Sequence, residues 1–498
     1  MSDDAHLLQL GARTIAARLG SAPRPVEDGV VLPAGRIALL HGMPEAEVYR
    51  HGWNSWSPSG WRAMAEAPLR IESATRRLTA DDTVWDDPHH HHSAAVTALA
   101  DPDGAGGVLL VGALGLDVPR LTVDRDTVTG WYERDGAEWF VTYGPELEVF
   151  DRYARRLAER LGGGRERNRA GNVWCSWYAY HEDIDEATLH ADLAGLDGLP
   201  FDVFQVDDGW ERMVGDWQVN AKFPSGMADL AARAAGAGLN PGLWLAPFIA
   251  RPQAEIVRER PHLFVTDASG RPAAAGYNWS GPYYALDLTL PEAQDYLRGV
   301  ISTVVGWGFR YLKLDFVNAV AVPGVRHDPE RGRESIYRDA MRLVREAAGE
   351  EVYLLGSGAP VLPSLGVCDG IRVGPDVAPF WTNYATDDPS DATAQNALVA
   401  SIHRLWLRDL VDLDPDVVYF RDRQSLLSPR QRELLADLAH VCGFKATSDP
   451  VRWLDPDERA ALSAFLTLDK PVVQLGRYRF DLAGRAVDFT AAAERRGL

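Results

Sequence analysis

Tyr311-Leu312-Lys313-Leu314-Asp315-Phe316 reads as a buried β-strand with a charged end. Aromatic and aliphatic residues suit a pleated, enclosed surface, and short apolar runs of this kind are typical of strands covered on both faces. Lys313 and Asp315 are two residues apart, so they share a face at the strand's C-terminal end. A buried carboxylate is costly unless it is paired. Two readings follow: a structural ion pair, or a reactive carboxylate that Lys313 keeps ionised by charge pairing.

On either side of this stretch the same pattern recurs. Apolar strand candidates lie at 172–178, 201–207, 242–248, 352–357, 371–376, 417–421 and 444–448, which with 311–316 makes eight. Helical stretches alternate with them at 186–196, 227–238, 291–307, 334–348, 392–410 and 429–441, and 455–466 reads as the last. Ile336, Ala340, Leu343, Val344 and Ala347 follow the spacing of an amphipathic helix. Ser428-Pro429 is an N-cap and first-turn pair. Eight strand–helix units predict an α/β fold, a closed parallel (β/α)8 TIM barrel. The fifth and sixth strands are too close for a long helix between them, and 250–290 is long and weakly periodic, as functional loops often are.

Residues 1–165 show short apolar runs punctuated by Gly, Pro and Asp, the pattern of a β-sandwich. The expected division is an N-terminal β-domain over 1–165, the barrel over 166–468, and a short C-terminal β segment and tail over 469–498 with about two strands. The tail is too small for an independent domain. Within the sandwich, His51-Gly52-Trp53-Asn54-Ser55-Trp56-Ser57-Pro58-Ser59-Gly60 reads both as a loop packed on another domain and as a wall of a sugar pocket. Asp86-Asp87-Pro88-His89-His90-His91-His92 reads as a solvated surface loop rather than a metal site, since it is one loop without ordered supporting groups.

The 498 residues carry a formal net charge of −20, with 46% hydrophobic and 24% charged residues. Such acidity argues against nucleic acid and anionic membrane as partners. The three cysteines, Cys175, Cys368 and Cys442, are far apart and lack metal-ligand spacing. They fit a reducing compartment, and neither a signal peptide nor a membrane span is visible. The expected location is cytoplasmic. Sixteen tryptophans are many for this length, and indole faces serve both as core filling and as stacking surfaces.

Barrel enzymes build their sites at the C-terminal ends of the strands. Those ends hold Asp207-Asp208-Gly209-Trp210, Trp244, Lys313, Asp315, Ser357, Arg372 and Asp376. Metal-ligand clusters, a phosphate-binding glycine loop and a serine nucleophile elbow are all missing there. Carboxylates with aromatic surfaces are the parts of a glycosidase, one Asp to attack the anomeric carbon and one to protonate the leaving oxygen. Each residue also has a plainer reading. Asp376 could cap a helix, Asp207 and Asp208 could make a turn, and Trp244 could be barrel core. Arg372 could face the core, pair with a carboxylate or face substrate.

The chain resembles the melibiase-like α-galactosidases of glycoside hydrolase family 36. The resemblance rests on Trp174-Cys175-Ser176-Trp177-Tyr178, Asp207-Asp208-Gly209-Trp210, Gly215-Asp216-Trp217 and Lys222-Phe223-Pro224-Ser225-Gly226. It rests further on Gly242-Leu243-Trp244-Leu245-Ala246-Pro247-Phe248, Tyr311-Leu312-Lys313-Leu314-Asp315 and the N-terminal Trp53-Asn54-Ser55-Trp56-Ser57. It implies a β-supersandwich before the barrel and a C-terminal β-domain, which looks trimmed here. It also implies retaining hydrolysis of an oligosaccharide or glycoside without metal or cofactor. Family members are often assemblies, so a homo-oligomer is compatible. The implied nucleophile is Asp315 and the acid/base Asp376. The implied sugar contacts are Asp207, Asp208, Trp244 and Lys313, with Trp210, Ser357 and Arg372 beside them and Trp53 and Trp56 reaching over the mouth. Gly356-Ser357-Gly358-Ala359-Pro360 replaces the family's Cys-Ser-Gly-Gly-Gly run, and the setting of Asp376 also departs from the family's usual Ser-Asp. Sugar identity is therefore not carried by motif. The expected activity is that of a retaining exo-α-galactosidase. The alternatives are an α-N-acetylgalactosaminidase or another α-glycosidase of the superfamily, or a transglycosylase of the raffinose-synthase type.

Overall fold

Eight short strands form the centre of the molecule: β1 (Asn172–Cys175), β2 (Val203–Val206), β3 (Asn240–Leu245), β4 (Tyr311–Leu314), β5 (Tyr353–Gly356), β6 (Gly370–Arg372), β7 (Asp412–Asp414) and β8 (Lys445–Thr447). The computed structural model describes residues 4–80, 87, 89–101, 106–134, 138–164, 168–469 and 471–495. Every neighbouring pair is parallel, in the order β7-β6-β5-β4-β3-β2-β1-β8. Between β7 and β8 the ring is closed by Val418, whose N–H donates to the Ala446 carbonyl (2.9 Å) and whose carbonyl accepts the Thr447 hydroxyl (2.9 Å). This is the expected (β/α)8 barrel.

Seven strands fall where the apolar runs predict them. The seventh does not: the expected strand at 417–421 is the closing segment, and the ladder partner of β6 is the acidic stretch Asp412–Asp414 just before it. The connection from β5 to β6 contains a single helical turn, Val361–Ser364. Helices cover the barrel, and the long ones match their sequence patterns. Arg333–Ala348 buries Ile336, Ala340, Leu343 and Val344. Pro429–Cys442 starts with Ser428 in a full capping box with Gln431, and Pro456–Thr467 starts with Asp455 boxed with Glu458.

Two antiparallel sheets, of six and seven strands, occupy the region from Asp4 to Gly144. The helix Glu146–Leu161 buries Val149, Phe150, Tyr153 and Leu157, and its Tyr153 hydroxyl donates to the Ala113 carbonyl of the sandwich (2.9 Å). The expected boundary at 165 lies outside the described residues. At the C-terminal end there are three antiparallel strands, Val472–Gln474, Arg479–Leu482 and Arg485–Asp488, rather than two.

Two loop expectations change. Of the histidine run, Asp86 and Pro88 lie outside the described residues. His91 and His92 are not in a solvated loop: they begin the strand His91–Ala94 and are buried. The weakly periodic 250–290 stretch contains a small antiparallel sheet of Ile249–Ala250, Ala274–Asn278 and Gly281–Ala285. Its hairpin turn, Trp279-Ser280, has φ of +47° and +61°.

Candidate active site

Strand register explains which charges meet at the barrel mouth. Lys313 on β4 lies level with Trp244 on β3, and Leu243 is level with Val206 on β2. Asp207, one residue beyond Val206, is therefore in the same layer as Lys313. Barrel interiors are layered from alternate strands, and β2 and β4 are alternate. The Lys313 ammonium accordingly meets Asp207 across the barrel, Nζ to Oδ2 at 2.8 Å, with both side chains buried. The expectation that Lys313 pairs with Asp315 is thus corrected. Asp315 stands further along the strand and takes its donors from Trp244 and Phe316, whereas the alternate-strand partner Asp207 is level with Lys313.

Asp207 is saturated with donors: Lys313, the Gln205 side chain at 2.7 Å and the Asp208 backbone N–H at 3.0 Å. Burial pushes its carboxyl up, but these donors, led by the Lys313 charge, outweigh burial and hold it below its ordinary value. Burial pushes the Lys313 ammonium down, and the Asp207 charge reverses that. A carboxylate with a depressed folded-state pKa adds stability above the ordinary carboxylate range and loses it as pH falls through the depressed value. Lys313→Met should therefore cost about 3–5 kcal/mol at neutral pH, by leaving Asp207 buried and unpaired. Urea unfolding checks this, and the acid-side loss of stability should shrink in the variant.

Asp315 stands one layer further out and is only half-buried. Its Oδ2 accepts the Trp244 indole N–H at 3.2 Å and its Oδ1 accepts the Phe316 backbone N–H at 2.8 Å. Its own N–H is tied to the Leu245 carbonyl at 2.7 Å, which fixes the end of β4 to β3. Phe316 has φ +52°, a strained conformation for a bulky residue, of the kind that persists where surrounding packing enforces it. Trp244 is both things the sequence allowed, a buried ring (2% exposed) and a direct partner of Asp315.

Asp376 follows β6. No helix starts there, so it is not an N-cap. Its carboxylate accepts Arg372 Nη1 at 3.0 Å, and its side chain is 36% exposed. Arg372 is buried and shared: Nε bonds Asp414 at 2.9 Å and Nη1 bonds Asp416 at 2.7 Å. Asp416 also takes the Tyr178 hydroxyl and, at 2.9 Å, the Val377 N–H. One guanidinium thus serves three carboxylates. Burial lifts the Asp376 carboxyl most. Arg372 pulls it back, the Asp416 and Asp315 charges lift it further, Lys313 opposes them, and it lies at about 7. Of the three readings the sequence allows for Arg372, the structure shows the one in which it pairs with carboxylates.

Asp208 is buried and accepts the Trp279 indole N–H at 3.0 Å. Burial raises its carboxyl to about 6, against hydrogen bonds from Glu211 and Trp279, with the Glu182 and Asp207 charges adding to the rise. Glu211 is pushed up by burial and by the Asp208 charge beside it.

The remaining sequence candidates divide by burial. Trp210 is fully buried, its indole N–H on the Trp244 carbonyl at 3.0 Å, so it lies behind Trp244 rather than on a surface. Trp53 is buried at 6% exposure and donates to Glu334 on the Arg333–Ala348 helix (2.8 Å), joining sandwich to barrel. Trp56 in the same loop is half-buried. Ser357 is buried, its backbone tied to Leu314 and Val317. The next residue, Gly358, has φ +69°, and a Cβ there would come within 2.9 Å of Asn318 Oδ1. The loop that carries Trp53 and Trp56 is clamped by Arg404, whose buried guanidinium donates to the carbonyls of Gly52, Asn54 and Ser57 and to that of Val373 after β6. Residues not singled out from sequence are Trp279, Tyr178, Glu211, Asp414 and Asp416. The acidic alternation Asp412-Leu413-Asp414-Pro415-Asp416 was the available signal for the last two. Among the described residues, no group of three His, Cys, Asp or Glu is placed to hold a metal ion.

Carboxylates at two strand ends, each held by indole or guanidinium donors, are suited to acid–base and nucleophilic work on a glycosidic bond. A family profile described as Melibiase matches residues 150–347. The α-galactosidase TtGalA of Thermus thermophilus, solved with p-nitrophenyl α-D-galactopyranoside, is 42% identical. That match covers 98% of this chain and 100% of TtGalA, with a TM-score of 0.91. α-Galactosidase AgaA of Geobacillus stearothermophilus is 30% identical over 208 residues, 39% of this chain and 27% of AgaA. The match to this chain thus spans about a quarter of that curated relative. An AgaA variant structure, 16% identical with a TM-score of 0.59 over 91% of this chain and 65% of its own, shares the fold. The chain belongs to the melibiase-like α-galactosidases, glycoside hydrolase family 36.

No helix among the described residues is long and apolar enough to cross a membrane.

Proposed function

We propose that this chain is a retaining exo-α-galactosidase. Asp315 attacks the anomeric carbon and Asp376 protonates the leaving oxygen. The ring carbon–oxygen bond to the leaving group breaks as the Asp315 ester forms. Water, deprotonated by Asp376, then cleaves the ester and returns both carboxyls to their starting states. The observation that carries this reading is the contrast between the two carboxyls. Asp376, after β6, lies at about 7 and is poised to give and take a proton, while Asp315, at the end of β4, is held by Trp244 and Phe316 donors. A retaining pair stands about 5–5.5 Å apart. Asp208 supplies acceptors for sugar hydroxyls, with Asp207 fixed behind it by its own donors and the half-buried Trp56 at the rim.

Support for the sugar comes from TtGalA, solved with p-nitrophenyl α-D-galactopyranoside and with stachyose. The buried cysteine thiols fit a cytoplasmic setting. A panel of aryl α-glycosides tests the assignment. The α-galactoside should be cleaved at least tenfold faster than the α-N-acetylgalactosaminide, and the first-released galactose should be the α-anomer by NMR. Faster cleavage of the acetamido sugar, or release of the β-anomer, would overturn it. Galactosyl transfer to a sugar acceptor as the main product would indicate a transglycosylase instead.

A further inference from the structure

Two indole N–H groups end on two carboxylates of this site. Trp244 donates to Asp315, and Trp279 donates to Asp208. The two rings meet edge to face, with centroids 6.5 Å apart. Trp279 also packs on Phe316 at 5.1 Å and edge-on to Tyr283 at 6.3 Å. It therefore stands between the neighbourhood of the nucleophile and Asp208. It arrives there from outside the barrel repeat, at the tip of the hairpin Ala274–Asn278/Gly281–Ala285.

The turn is an unusual carrier for a tryptophan. Asn278 pairs with Gly281, which leaves Trp279 and Ser280 as a two-residue loop with positive φ at both positions. Turns of this form are normally made by Asn-Gly, because a Cβ is crowded at positive φ. The indole is held in a conformation that local preference opposes, with its N–H on a buried carboxylate. Strain of this type marks positions where the surroundings over-determine the backbone.

We infer that Trp279 is a positioning residue for the proposed reaction, holding Asp208 ionised and aimed to accept a hydroxyl of the terminal sugar. The inference rests on the α-glycosidase reading above. Asp208 needs such a group. It is buried, and the Asp207 and Glu182 charges face it. Lys313, the nearby cation on β4, is engaged by Asp207. The Asp207 and Glu182 charges favour protonated Asp208, whereas a hydrogen bond donated to the ionised form, from Glu211 or from Trp279, favours the anion. The Trp279 N–H supplies one such bond, from the hairpin outside the barrel repeat.

Trp279→Phe keeps a ring and removes the donor. Without it the Asp208 carboxyl rises, so the acidic limb of kcat/KM should move to higher pH by about one unit, the size of one hydrogen bond to a charged group. KM for p-nitrophenyl α-galactopyranoside should rise about tenfold at pH 6 while kcat changes little. A packing role would lower thermal stability without moving the limb. The same exchange is made in a Ser280→Gly background, where glycine accepts the positive φ and protects folding. A folded variant with an unmoved acidic limb and unchanged KM overturns the inference. So does failure of both variants to fold, which would make Trp279 a folding residue. If the wild type cleaves a different α-glycoside, the galactoside reading fails while the limb shift, read on that substrate, still decides the role of Trp279.

Discussion

Asp315→Asn is expected to lower kcat/KM for p-nitrophenyl α-galactopyranoside on the order of 10⁴-fold or more, the scale on which a removed nucleophile acts. An amide cannot form the glycosyl ester, so the double displacement has no first step. The fold should survive. The amide is close in shape, its oxygen can keep the Trp244 or the Phe316 hydrogen bond, and the side chain is half-buried rather than enclosed. Thermal unfolding should therefore shift by a few degrees at most while turnover disappears. Binding of galactose, followed by calorimetry, should remain detectable. A folded Asp315→Asn protein with more than about a hundredth of wild-type turnover would assign the nucleophile elsewhere.

The second large effect is at Asp376, and it depends on the leaving group. Removal of a general acid typically costs about 10²–10⁴-fold. Asp376→Asn should reach the upper part of that range on an α-galactoside with a sugar leaving group, which cannot depart unprotonated. The nitrophenyl substrate needs little protonation, so its first step should be far less affected. Its second step still lacks a base, and the glycosyl-enzyme should accumulate, lowering KM and producing a burst of nitrophenol. The pH dependence has a definite sign. The acid must be protonated to act, and its carboxyl lies at about 7. The wild-type rate of glycosyl transfer should fall as pH rises through that value, and the variant should lose this basic limb. Azide, a nucleophile that needs no general base, should restore nitrophenyl glycoside turnover and give the α-galactosyl azide. A β-configured product, or an unchanged basic limb in the variant, would count against Asp376 as acid/base.

Much of this arrangement is written in short-range patterns. Tyr311–Leu314 is a strand because its residues are apolar and enclosed, and Arg333–Ala348 is a helix because its apolar residues recur on one side. A count of such units reaches the barrel, and the barrel tells where to look for polar side chains. Asp207, Asp208, Asp315 and Asp376 stand just past strand ends, where that reading looks for them. Partnership was less legible. Lys313 was matched with its near neighbour Asp315, yet its partner is Asp207, 106 residues away in sequence. The Trp53 loop reads both as packed on another domain and as a pocket wall, and only the fold shows that the Trp53 indole is fastened to Glu334, 281 residues on.

β7 shows the limit most clearly. Asp412-Leu413-Asp414 carries two carboxylates in three residues and falls between the expected helix at 392–410 and the expected strand at 417–421. The ladder nevertheless runs through the acidic segment. Arg169 pairs with Asp412 and Arg372 with Asp414, so each charge meets a cation from a distant part of the chain. Burial of a charge depends on whether a counter-charge is in reach, and reach is a property of the folded register. The same holds for Trp279, whose turn lacks the Asn-Gly that would announce it. Periodicity along the chain therefore determined the elements, their number and the carboxylates at their ends. The tertiary structure decided which cation neutralises which carboxylate, and so which acids stay ionised and which retain a proton, because electrostatic energy is set by distance in space and by exclusion of water, and neither is a function of position along the sequence.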